Sequence, residues 1–335
     1  MTTSQYIPNA NRYTGGMKYR RCGKSGILLP EISLGLWHNF GKSKSHTECA
    51  EIIHYAFDNG ITHFDLANNY GPPYGAAEEN FGNIIKSSLH PFRDELFIST
   101  KAGYDMWDGP YGNWGSRKYL IASLNQSLMR MNIEYVDLFY IHRYDPHTPL
   151  EETLQALVDI VRQGKALYIG ISRWPHEATE FAYKYLRERD VPCLIFQGRY
   201  NIFDREPEES GVMQQAHDNG AGFISFSPLA QGLLTDKYLQ GIPDNSRIAN
   251  GGHLKKDSLT ETTLKRIKAL NDIAENRGQS LAEMSLAWIL DNKLITSVIV
   301  GASSTTQLEQ NLKAINSCTF SQEELEKINM ACSMT

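Results

Sequence analysis

Several features are scarce in this 335-residue chain, and each scarcity closes off a class of function. The N-terminal MTTSQYIPNANRY lacks the apolar core of a signal peptide, and no run approaches the roughly 18 apolar residues of a membrane span, so a cytoplasmic protein off the membrane is expected. Cysteines are few, odd in number and far apart (Cys22, Cys49, Cys193, Cys318, Cys332), with no CxxC. That spacing argues against a disulfide framework or a thiolate metal site and for buried thiols. The formal charge is −5, and Lys and Arg are spread along the chain, leaving neither a basic face for nucleic acid nor an acidic tail. His142 and His147 are separated by a RYDP turn, without helical i, i+4 geometry and without a following acid, so no metal is expected. Chemistry on a small molecule remains.

What is present is a regular alternation. β-rich runs occur at EISLGLW (31–37), THFDLA (62–67), ELFISTKA (95–102), YVDLFYIH (135–142), ALYIGIS (166–172), CLIFQGRY (193–200), AGFISFSP (221–228) and SVIVGA (297–302). Segments of helical period lie between them. Their apolar faces are Cys49, Ile52, Ile53, Ala56 and Phe57 in the first, Ile121, Leu124, Leu128 and Met131 in the third, and Leu150, Leu154, Leu157, Val158 and Val161 in the fourth. Gly60, Gly164, Gly220 and Gly278 stand where left-handed helix ends are expected.

Eight β-then-α units predict a single (β/α)8 TIM barrel over residues 1–335, with an extension at 1–17 and a barrel core at about 31–316. A doubly wound sheet is the rival, but no GxGxxG turn follows an early strand. KYRRCGKSGILLP (18–30) reads as a hairpin capping the barrel's bottom. The segments 103–116 and 229–262, after strands three and seven, exceed the roughly 12 residues usual for a connecting loop and would lie over the active-site face.

In such a barrel the C-terminal strand ends carry the chemistry. They supply Asp65, Lys101, His142, Ser172, Gln197, Ser227 and Ser303, with Tyr70 on a turn rich in Asn, Gly and Pro where an aromatic gains nothing from loop chemistry. Each has a structural reading alone: Asp65 as a helix cap, Tyr70 as packing, Lys101 as a solvated end, His142 as a core histidine. Together they fit one task. An ammonium beside a phenol stabilises the phenolate, an aspartate pairs with the buried lysine, and an imidazole donates to a carbonyl oxygen as charge develops there. The outcome would be acid catalysis of hydride addition to an aldehyde or ketone.

GITHFDLANNYG (60–71) fits the arrangement G-x-x-x-x-D-x-A-x-x-Y-G of the aldo-keto reductases, and the chain resembles that family through ISTKAGY, YVDLFYIHR, GKALYIGISRW, FSPLAQGLLTDKY and IVGASSTTQLEQN. Within it, SLGLWHNFG, FDLANNYGPPYGAAEENFG and STKAGYDMW are similar to the branch of bacterial L-glyceraldehyde 3-phosphate reductases and potassium-channel β subunits. The resemblance implies a catalytic tetrad of Asp65, Tyr70, Lys101 and His142, with NADPH as cofactor and small aldehydes as substrates. It implies nicotinamide contacts from Trp37, Asp65, Ser172, Arg173, Gln197 and the stacking Phe226, Arg173 standing where many members carry Asn. The diphosphate falls to Ser227, Pro228, Leu229, Ala230, Gln231, Gly232 and Lys237, and the adenosine end to Gly301, Ser303, Gln307, Gln310 and Asn311. Gln307 replaces an Arg common in the family, so the 2′-phosphate depends on Ser303, Lys237 and Arg247. Trp37, Trp107 and Trp114 join Tyr70 and His142 around the substrate, and a homo-oligomer (tetramer or octamer) is implied. The alternative is a nucleotide-sensing regulatory subunit; in channel subunits asparagine matches His142.

Overall fold

A computed structural model describes residues 6–239, 241–242 and 258–334. A hairpin of β1 (Tyr19–Arg21) and β2 (Leu28–Pro30) precedes eight parallel strands: β3 (Ile32–Gly35), β4 (His63–Asp65), β5 (Phe97–Ala102), β6 (Val136–Ile141), β7 (Ala166–Ser172), β8 (Cys193–Arg199), β9 (Gly222–Phe226) and β10 (Ile295–Val300). These eight close into a barrel in the order β10-β3-β4-β5-β6-β7-β8-β9. Every strand expected from the sequence is found, although most are shorter than their apolar runs. Beyond the strands the ladder continues as single bonds, Leu36 N–H to Asp65 O at 2.9 Å and His142 N–H to Ala102 O at 2.8 Å.

The helices covering the barrel include α1 (His46–Asp58), α2 (Ala76–Ile84), α3 (Arg117–Met131), α4 (Leu150–Arg162) and α5 (His176–Arg187). They are followed by α6 (Glu206–Glu209), α7 (Val212–Asp218), α8 (Glu261–Asn276), α9 (Leu281–Asp291), α10 (Thr305–Leu312) and α11 (Gln322–Ser333). The α1 face is the one read from the sequence, and Ser45 and Glu48 close a capping box at its start. In α3 the buried face is rotated toward Leu120, Ser123 and Ser127, leaving Ile121 and Leu128 half-buried. Two serines break the apolar stripe that would have located it. The expected glycines at 60, 164, 220 and 278 all take positive φ.

The barrel interior has two unlike halves. One is apolar, with Phe97, Leu138, Ile195, Ile224 and Ile299 packed around Tyr140, each apolar side chain contributing roughly 1.5–3 kcal/mol by leaving water. The other carries Ser33, His63, Asp65, Ser99, Lys101 and Ser297, all buried. The hairpin plugs the bottom by inserting Cys22 and Leu29 into the apolar half. Lys24 N–H bonds Gly220 O at 2.9 Å, and Arg20 reaches Leu290 O at 2.8 Å and Ile295 O at 3.0 Å.

The plug fits tightly at Gly23, whose φ is +55° and where a Cβ would lie 2.1 Å from Gly220 O. Gly23→Ala is therefore expected to cost about 1–3 kcal/mol by strain and overpacking, measured as a lower denaturant midpoint. An unchanged midpoint would show that the plug yields freely.

Candidate active site

The loop after β3 and the start of α2 hold the turn that carries Tyr70. Lys42 N–H bonds Pro72 O at 2.9 Å, Asn80 Nδ2 donates to Phe40 O and Gly41 O at 2.7 and 3.1 Å, and Tyr70 N–H bonds Ala67 O at 3.0 Å. A Cβ on Gly41 would stand 2.3 Å from Pro72 O, so the two loops meet backbone to backbone. Tyr70 is thereby placed over Asp65 and Lys101, which project from neighbouring strands β4 and β5.

The Lys101 ammonium is wholly excluded from solvent and its donors are fully used. It donates to Asp65 Oδ2 at 2.5 Å, to Leu66 O at 2.7 Å and to the Tyr70 phenol oxygen at 3.4 Å. Asp65 Oδ1 accepts from Ser99 Oγ at 2.8 Å and Gln197 Nε2 at 3.2 Å. His142 sits 5.9 Å from the Tyr70 ring, centroid to centroid, and the rings of Trp37 and Tyr70 are 6.3 Å apart. The four tetrad residues are thus brought together at one barrel mouth.

Burial, opposed by Asp65, holds the Lys101 pKa below its ordinary value. Burial first, then Asp65 and Tyr104, push the Tyr70 phenol well up. Here the structure differs from the electrostatic argument made on the sequence. The ammonium does not stand alone; paired with Asp65 it presents a dipole, and the free phenol stays protonated through neutral pH. His142 is held well below 6.5 by burial and by Lys101, Arg173 and Arg143, so it enters neutral solution as an uncharged imidazole. Its Nδ1 has no partner among the described residues.

Buried neutral histidines also set a stability profile. Desolvation lowers His63 to about 4. The unfolded chain then binds more protons than the folded one below about 6.5, so stability present above that pH is lost as pH falls toward 4. For His63 alone the shift from 6.5 to about 4 corresponds to roughly 3 kcal/mol by pH 4. Denaturant midpoints are expected to fall over this window, and to fall less in His63→Gln.

Along the mouth, Ser172 Oγ donates to Gln197 O at 3.0 Å, and the exposed Arg173 donates to Tyr104 OH at 2.9 Å. Gln197 spends its amide on Asp65. Arg173, Ser227, Ala230 and Gln231 all take positive φ, a clustering of strained backbone on the loops after β7 and β9. Phe226, Leu229 and Gly232 are half-buried and Pro228 is buried. Lys237 is exposed on a short turn, and Arg247 lies outside the described residues. After β10, Gly301 is open, Ser303 N–H and Oγ both donate to Gln307 Oε1 at 2.8 and 2.9 Å, Gln310 is exposed and Asn311 is buried. Asn311 Nδ2 and Gln231 Oε1 are buried without partners among the described residues. One orphaned amide on the strained loop after β9, Gln231, and another on α10, Asn311, fit a polar ligand such as a dinucleotide.

Trp107 packs on Tyr119 of α3 at 5.1 Å, while Trp114 stacks on Arg143 at 3.7 Å and meets His147 at 5.8 Å. Of the aromatics after β5, the one against His142 is Tyr104, at 4.8 Å and nearly perpendicular. Sequence reasoning passed over Tyr104, although it follows the third barrel strand almost directly. It also passed over His63 and Ser99, which a count of two back from Asp65 and Lys101 places on the same inward face.

The family model described as Aldo/keto reductase family matches residues 31–332. The chain belongs to that family. It is 54% identical over 328 residues, 97% of this chain and 94% of the relative, to L-glyceraldehyde 3-phosphate reductase of Escherichia coli. It is 36% identical over 306 residues, 90% of this chain and 92% of the relative, to a probable voltage-gated potassium channel subunit beta of Arabidopsis thaliana. A thermostable aldo-keto reductase solved with the inhibitor epalrestat superposes with a TM-score of 0.73 at 30% identity, covering 94% of this chain and all of that one. This member of the aldo/keto reductases is an oxidoreductase. Among its described residues no helix is long and apolar enough to cross a membrane.

Proposed function

We propose that this reductase converts small aldehydes of the L-glyceraldehyde 3-phosphate or methylglyoxal type to alcohols with NADPH, Tyr70 giving the proton to the carbonyl oxygen. One observation carries the role of Tyr70. The phenol oxygen accepts from Lys101, and its own proton has no partner among the described hydrogen bonds, leaving it for a ligand. As that proton leaves, the negative charge grows on an oxygen already facing an ammonium, which lowers the barrier without any movement of the site. Neutral His142, beside Tyr70, can donate a second hydrogen bond to the same carbonyl oxygen. When bound, the nicotinamide supplies the hydride. Ser172, Arg173, Gln197 and Phe226 would hold its ring, the strained 227–232 loop its diphosphate, and Ser303, Gln307 and Asn311 the adenosine end.

The substrate class is supported by the 54% identity to a protein named for L-glyceraldehyde 3-phosphate. The test is a panel of aldehydes, including that compound and methylglyoxal, followed by loss of NADPH absorbance, with NADH in parallel. Turnover on at least one small aldehyde, faster with NADPH, is the expected result. Tight NADPH binding with no aldehyde consumed would sink the reading. The same reading carries a cytoplasmic homo-oligomer, tetramer or octamer, whose mass light scattering reads directly.

A further inference from the structure

The polar half of the barrel interior is a single hydrogen-bonded file ending on Asp65. Ser297 Oγ lies 2.7 Å from Ser33 Oγ, Ser33 Oγ lies 2.8 Å from His63 Nδ1, and His63 Nε2 lies 3.0 Å from Ser99 Oγ. Ser99 Oγ then reaches Asp65 Oδ1 at 2.8 Å. The four side chains before Asp65 are completely buried.

Proton counting fixes the direction of the file. A carboxylate only accepts, so Ser99 spends its one proton on Asp65 and must accept from His63. The ring proton is therefore on Nε2. Nδ1 accepts from Ser33, and Ser33 accepts from Ser297. Every donor points toward Asp65, and each bond polarises the next. An apolar lining fills the other half of the same barrel, so closing the sheet does not require this file. Ser99 also has a competing acceptor, Phe64 O at 3.5 Å.

We propose that His63 is a positioning residue for the proton transfer from Tyr70: by donating from Nε2 it keeps the Ser99 proton on Asp65, so that Ser99 takes up part of the carboxylate's charge and Lys101 is left to stabilise the phenol oxygen as its proton leaves. The proposal rests on the reading of Tyr70 as proton donor. Without the His63 donor, Ser99 can turn to Phe64 O, and Asp65 Oδ1 keeps only the 3.2 Å bond from Gln197. With one donor fewer, the Asp65 charge is less spread and bears more strongly on the Tyr70 oxygen across Lys101, so the phenolate is less well stabilised. Other groups facing this pair are Glu78 from α2, Tyr104 from the loop after β5, and Tyr140 and His142 from β6 and its end, with Arg143 and Arg173 beyond His142. None of them hydrogen-bonds Asp65 or Lys101 among the described residues.

The informative readout is the pH dependence of alcohol oxidation, where Tyr70 must be a phenolate to take the proton. His63→Leu is expected to move the rising limb of kcat up by about one pH unit and to slow aldehyde reduction about tenfold, with KM within about twofold. Ser99→Ala should reproduce both effects, and the double variant should be no worse than Ser99→Ala alone. His63→Gln, whose amide nitrogen can stand near the imidazole Nε2, should return the limb most of the way. A role confined to packing would lower the denaturation midpoint and leave the limb in place. If His63→Leu does not fold, Ser99→Ala decides. A limb at the wild-type pH in a folded Ser99→Ala that binds NADPH normally overturns the proposal, as does a His63→Gln no better than His63→Leu. Turnover retained in Tyr70→Phe overturns the donor assignment and this proposal together, whereas an inactive Tyr70→Phe with an unmoved limb in Ser99→Ala removes only the role of His63.

Discussion

Tyr70→Phe is expected to lose between about 10² and 10⁴ of kcat for aldehyde reduction, the range that general acid catalysis supplies. NADPH affinity should stay close to that of the parent enzyme, because the deleted hydroxyl acts on charge that appears only during reaction. The structural cost should be small. The ring keeps its place between Trp37 and His142, and Lys101 keeps its two shorter bonds to Asp65 and Leu66 O. Retention of more than about a tenth of kcat would assign the proton to another group.

His142→Asn should lower kcat/KM by about 10²-fold or more, the effect of removing one donor aimed at a developing oxyanion. The side chain faces Tyr70 on one side and Tyr104 on the other. A shorter amide in that slot cannot reach the same carbonyl oxygen without moving the ligand. Cofactor binding, read by fluorescence titration, should not change. Since His142 is held neutral well below 6.5, kcat/KM for an aldehyde without a phosphate should show no His142 ionisation near 6.5. A rate unchanged in the variant would make His142 a packing residue.

Much of this was legible from the strands. Parallel strands buried on both faces read as apolar runs, and the polar residues that interrupt them near their C-terminal ends, Asp65 and Lys101, stand out for that reason. The barrel order follows from the number of runs and from the right-handed β-α-β connection. What stayed hidden depends on which way a side chain points and what it meets. Ser33, Ser99 and Ser297 read as ordinary strand serines until the closed barrel brings Ser33 and Ser99 against His63 and Ser297 against Ser33. The α3 face is only partly legible: Leu124 and Met131 are buried as expected, but Ser123 and Ser127 occupy buried positions that an apolar pattern does not mark. The direction of the Tyr70 shift is not legible in the sequence, because a lysine taken alone is a positive charge, whereas a lysine in contact with Asp65 is half of a dipole. The sequence places Trp107 and Trp114 on the loop after β5, but not the contacts of their rings with Tyr119 and Arg143.

The most direct measurement follows a label. Aldehyde is reduced with NADPH carrying deuterium at nicotinamide C4, each epimer in turn, and the alcohol is analysed by mass spectrometry alongside NADPH consumption. The account predicts one deuterium on the former carbonyl carbon from one epimer only, one alcohol per NADPH consumed, and almost no product over the same time from Tyr70→Phe. Alcohol without deuterium from either epimer, or NADPH lost without alcohol formed, would contradict it.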